Sequence, residues 1–135
     1  MHLDSSEDGE QQPYVLAWQH MSSQRLGISD YENLAADANH LDHNTWPYPV
    51  IAYYSGQIDR TQLLTAADSG DRVRLPGRQC EAYAYLGEAY LARHHDAAAY
   101  RVFEAAIAIC PGTFVERILA KRELAYLTKA KTSRP

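Results

Sequence analysis

The sequence predicts an all-α protein, a stack of antiparallel helical hairpins closed by a C-terminal capping helix. Three observations carry that prediction. Tyr83, Leu86, Gly87 and Tyr90 recur at i, i+3, i+4 and i+7, the single apolar stripe of a helix. Ala99, Phe103, Ala106 and Ile107 repeat the helical period after a very short break at His94-His95, and Pro111-Gly112 stops the second run. No segment shows the strict apolar–polar alternation of a half-buried strand.

In chain order, Met1 to Gln12 is a polar leader with no apolar period, expected to be disordered. Pro13 suits the first turn of a helix carrying Val15, Trp18, Met21 and Leu26 and ending at Gly27. Ser29 with Glu32 forms a capping box for a second helix, whose stripe is Leu34, Ala35, Ala38 and Leu41 and whose end is Trp46-Pro47. A short pair follows, Pro49 to Gly56 and then Thr61 to Asp68, the latter opened by Asp59 as N-cap with Gln62 three residues on. Ser69 to Gly77 reads as a polar loop. The fifth helix runs from about Gln79 to His94. Asp96 can cap the sixth. Thr113 with Glu116 is a further capping box, opening a last helix through Phe114, Ile118, Leu124 and Leu127.

These elements make one domain over residues 13–131: a degenerate hairpin at 13–46, a shortened hairpin at 47–70, a complete hairpin at 78–111 and a capping helix at 113–130. The length of 135 residues suffices for one hydrophobic core and not for two independent ones. Tyr (ten) and Ala supply much of the 46% hydrophobic content, a composition suited to Ala-lined helix crossings filled by aromatic rings. The net charge of −4 excludes the basic footprint of a nucleic-acid binder, and no run nears the apolar length of a membrane span.

The stripe residues also fall in a known pattern. Tyr83-x2-Leu86-Gly87-x2-Tyr90, then Ala99-x3-Phe103, Ala106 and Pro111, resembles the tetratricopeptide (TPR) repeat, with Tyr83 where the family has Trp. The resemblance implies a TPR-like right-handed stack in which Gly87 and Ala99 let the two helices approach closely. It also implies a partner-binding groove lined by helix residues off the packing stripe, here Glu81, Ala84, Glu88, Leu91 and Ala92. Two acids among three apolar residues would repel an anionic C-terminal tail, so an apolar or basic protein segment is the expected partner. The plainer reading of Glu81 and Glu88 is a solvated helix face.

A closer likeness covers about Pro13 to Leu127. Trp46-Pro47-Tyr48-Pro49-Val50-Ile51, Gly56-Gln57-Ile58, Leu63-Leu64-Thr65-Ala66-Ala67, Arg78-Gln79-Cys80-Glu81-Ala82-Tyr83 and Cys110-Pro111-Gly112-Thr113-Phe114-Val115-Glu116 look like the C-terminal part of bacterial TPR lipoproteins of the NlpI type. What this implies is a non-catalytic, envelope-associated adaptor that docks other proteins, often as a homodimer. The leader has neither an apolar signal region nor a lipobox cysteine, so a removed signal peptide implies the periplasm or envelope and its absence the cytoplasm. The competing expectation is an accessory TPR domain of a larger enzyme or regulator. A symmetric homodimer, or docking of an upstream repeat, is expected from the apolar N-terminal residues Val15, Trp18, Met21 and Leu26, which no preceding hairpin covers.

Cys80 begins one helix of the complete hairpin and Cys110 ends the other, so both lie at its open end. A disulfide is geometrically available. The alternative is two small buried hydrophobes. No C-x2-C pair or nearby His points to zinc. His40, Asp42 and His43 have ligand-like spacing but stand at a helix end, where His favours the dipole; His94-His95-Asp96 falls in a tight turn. Trp18, Trp46, Tyr48, Tyr53 and Tyr54 read as core rather than as a stacking surface. No nucleophile elbow or phosphate loop is present. The expectation is therefore no enzyme activity, no cofactor and no metal.

Overall fold

A computed structural model of the chain describes residues 5–28 and 31–132. Among the described residues there are seven helices and no strand. The chain divides into two compact units, Met1–Leu63 and Leu64–Pro135.

In the first unit, α1 (Ser5–Arg25) packs on α2 (Tyr31–Ala38) and on α3 (Tyr48–Tyr54), and α2 also meets α3. The core is built from Leu16, Ala17 and Met21 of α1, Leu34 and Ala38 of α2, and Val50 and Ile51 of α3. The disorder expected of the leader does not hold for Ser5–Gln12, which are helical. Ser5–Gln12 continue α1 backward through Pro13, which therefore stands inside the helix and gives up the one bond its missing N–H would donate. Residues 1–4 and the Ser29 half of the expected capping box lie outside the described residues.

α2 stops at Ala38, well before Trp46-Pro47. Asn39, His40 and Leu41 donate to the carbonyls of Ala36, Asp37 and Ala38, tightening the last turn. The side chain of Asp42 then accepts from the backbone of Asn44 at 2.9 Å, so local polar side chains end this helix before the proline does. α3 begins on Pro47 with a second proline in its first turn. It closes in a Schellman motif: Gln57 N–H donates to Ala52 O and Gly56 N–H to Tyr53 O, with Gly56 at φ +83°.

α4 (Arg60–Asp68) spans the division between the units. Its expected capping box is complete. Asp59 N–H donates to Gln62 Oε1 at 2.9 Å and Gln62 N–H to Asp59 Oδ1 at 2.8 Å.

The second unit is α5 (Leu75–Ala92), α6 (Asp96–Ile109) and α7 (Val115–Thr132). α5 and α6 form an antiparallel hairpin, and α7 packs on both. α5 starts several residues before Gln79 because Pro76 is accepted in its first turn. Leu86, Ala99, Phe103 and Ala106 are fully buried, as the stripe predicts, and Gly87 lies directly under Phe103. Tyr83 is only half-buried; its neighbour Tyr85 is the ring with no exposure. Pro111 is half-buried just past the end of α6.

Two expected caps are replaced. His95, not Asp96, is the N-cap of α6; Asp96 is the first helical residue and contributes through its charge at the positive helix end. α7 begins at Val115, so Thr113 is not its cap. Phe114 turns back to donate to Pro111 O, and its ring lies where a Cβ on Gly77 would come within 2.9 Å of Cζ. That seat moves the helix start past Thr113. The C-terminal carbonyls of α6 are met by Arg117, whose Nη1 donates to Ile107 O at 2.7 Å and Cys110 O at 3.2 Å.

Candidate functional site

A recess of the first unit lies between α1 and α2. Tyr14, Val15, Leu16, Trp18, Gln19, Ser22 and Ser23 form its α1 wall, and Asn33, Leu34, Ala36 and Asp37 its α2 wall. Its volume of about 940 Å³ opens to solvent, and it arises because α2 is only eight residues long against the twenty-one of α1. Apolar side chains make the floor and Asn33, Gln19 and Asp37 the rim. Such a groove can receive side chains of another polypeptide. Val15 at its edge is half exposed, and Leu26 and Ile28 beyond the end of α1 are exposed too.

The groove residues expected on α5 lie elsewhere than an open groove requires. Glu81, Ala84, Glu88 and Leu91 are buried and Ala92 is half-buried. The reason is that α5 is a central helix: Ala82, Ala84, Tyr85 and Ala89 are as buried as the stripe itself, so α5 is enclosed on nearly every side. Glu81 is met by Glu116 from the first turn of α7. Glu116 is 6% exposed, and its Oε2 has no hydrogen-bond partner. Burial, and to a lesser extent the neighbouring charge of Glu81, push its carboxyl up to about 7, while a bond from its own backbone N–H partly opposes both.

Near the start of α5, Arg78 is buried and satisfied. Nε donates to Ala67 O at 3.2 Å and Nη2 to Asp71 O at 2.8 Å, tying α5 to the end of α4 and the loop after it. Two residues on, Cys80 is bonded to Cys110, with Cα atoms 4.6 Å apart. The hairpin brings them together because they flank its open end.

His40, Asp42 and His43 do not converge on a point. His43 stacks on the Tyr48 ring with centroids 4.1 Å apart, and its Nε2 lies 3.2 Å from Ala38 O, so it closes the end of α2. His94 and His95 are exposed turn residues. Among the described residues no three His, Cys, Asp or Glu side chains gather in a way that could hold a metal ion. No helix of the described residues is long and apolar enough to cross a membrane. Tyr48, Tyr53 and Tyr54 are core residues, and Trp18 and Trp46 are half-buried.

Sequence reasoning missed the buried Tyr85, Arg78, Glu116 and His20 and the Ser22–Asn33 part of the groove. The signal for the first was present in Ala82-Tyr83-Ala84-Tyr85-Leu86, where apolar residues run round the helix instead of keeping to one face. Comparison with family models, with curated proteins and with solved structures finds no match for this chain.

Proposed function

We propose that the chain is a non-catalytic protein-interaction module of the TPR-like kind. The observation that carries this reading is the α5–α6 hairpin with α7 laid against it, in which Gly87 receives the Phe103 ring and Ala99 and Ala106 line the crossing. This is the packing logic the repeat signature encodes. The surface it offers a partner is the α1–α2 groove, since the α5 positions of the signature are buried. The Cys80–Cys110 bond supports folding in an oxidising compartment, in keeping with an envelope adaptor.

The test is affinity capture with the whole chain as bait, followed by binding measurements with each purified candidate. A direct complex that weakens when Ser22→Arg fills the groove supports the reading. Turnover of a substrate by the purified chain, or the lack of any direct complex, overturns it.

A further inference from the structure

The charge of the chain is divided unevenly between its units. Residues 1–63 hold nine Asp and Glu against two Arg, a net −7; residues 64–135 hold eight against eleven Lys and Arg, a net +3. The overall −4 conceals this polarity. The acidic unit carries the open α1–α2 groove, with Asp37 on its rim. The basic unit carries, on α7, an exposed apolar face. Val115, Ile118 and Tyr126 are each more than half exposed, and with Arg122 they follow one another at steps of three, four and four residues, one line along the helix. Lys121 flanks that line and is exposed as well.

Resting on the proposed interaction role, we infer that the occupant of the α1–α2 groove is the α7 face of a second copy of this chain. A helix presenting apolar side chains with basic neighbours is the complement of a groove that has Leu16 and Leu34 in its lining, Asp37 on its rim and a unit of net −7 around it. The same charges oppose the symmetric alternative: pairing groove to groove would set two units of −7 against each other. A groove-to-face contact is heterologous. Each copy then keeps one unused groove and one unused face, so association continues beyond the dimer, into a closed ring or an open chain.

Sedimentation velocity of the whole chain tests this with two substitutions at exposed positions, Val15→Arg on the groove and Ile118→Glu on the face. The wild type should sediment faster as concentration rises, with no plateau at the dimer, and the effect should shrink in high salt. Each variant alone should be monomeric with an unchanged helical spectrum. An equimolar mixture of the two should give a 1:1 dimer and nothing larger, because one intact face then meets one intact groove. A wild type monomeric at all concentrations, association that persists in either single variant, or a mixture that stays monomeric overturns the inference. A monomeric chain that still captures another protein through the groove removes this inference and leaves the interaction role standing.

Discussion

A Cβ atom placed on Gly87 would lie 2.6 Å from both Cε1 and Cζ of Phe103. Phe103 has no exposure, so the ring has no room to withdraw without opening the α5–α6 crossing. Gly87→Ala is therefore expected to cost about 1–3 kcal/mol, and Gly87→Leu more, as overpacking of a close helix contact. Chemical denaturation of the oxidised protein measures this; an unchanged midpoint for the Ala variant would refute the fit.

His94 has the opposite expectation. It stands at φ +62°, with His95 N–H donating to Tyr90 O and His94 N–H to Leu91 O, the two bonds of a Schellman motif. α3 ends in the same motif with Gly56 in the left-handed position. His94→Gly should relieve the side-chain clash of that conformation and stabilise the protein by about 0.5–1 kcal/mol. Thermal unfolding of the variant, with His95→Gly as the control that should not gain, checks it.

The Cys80–Cys110 bond closes a loop with a sequence separation of 30. Restricting the unfolded chain by a loop of that size contributes about 3–4 kcal/mol. Reduction, or the Cys80→Ala/Cys110→Ala double variant, should lower the thermal midpoint by on the order of 10 °C for a chain of this length. An equal midpoint in reducing and oxidising buffer would contradict the estimate.

Glu116 should make stability fall with rising pH. Its carboxyl in the folded protein is raised to about 7 from 4.5, so between those values the folded state holds a proton that the unfolded state has released. The cost of ionising Glu116 is absent below about 4.5, grows through the interval and is complete above about 7. Glu116→Gln should leave stability at pH 4 nearly unchanged and raise it at pH 8. Urea titrations at the two pH values decide the matter, and a gain confined to acid pH would reverse the sign.

The hairpin was legible from the sequence because its parts are local. The Leu86-Gly87-Tyr90 spacing and the small residues at Ala99 and Ala106 each act within one or two turns and are where the pattern put them, as is the Asp59–Gln62 cap at the start of α4. What the sequence hid depends on neighbours distant along the chain. Glu81 and Glu88 have the spacing of a solvated face, and only the enclosure of α5 makes them buried. Phe114 looked like a stripe residue of the last helix, yet its seat on Gly77 places it before that helix begins. The α1–α2 groove was equally hidden, since it depends on α2 ending at Ala38 through Asp42 and its neighbours instead of at Pro47.

Pulled from its two ends, the chain would transmit load directly from residue 80 to residue 110 across the sulfur bridge, bypassing most of α5, the His94 turn and all of α6. The thirty-residue separation corresponds to about 100 Å of fully extended chain that tension cannot release. α1, α2, α3, α4 and α7, which have no such shortcut, would unravel along the line of force while the α5–α6 pair held its length. A reductant then acts as the release for that stored extension.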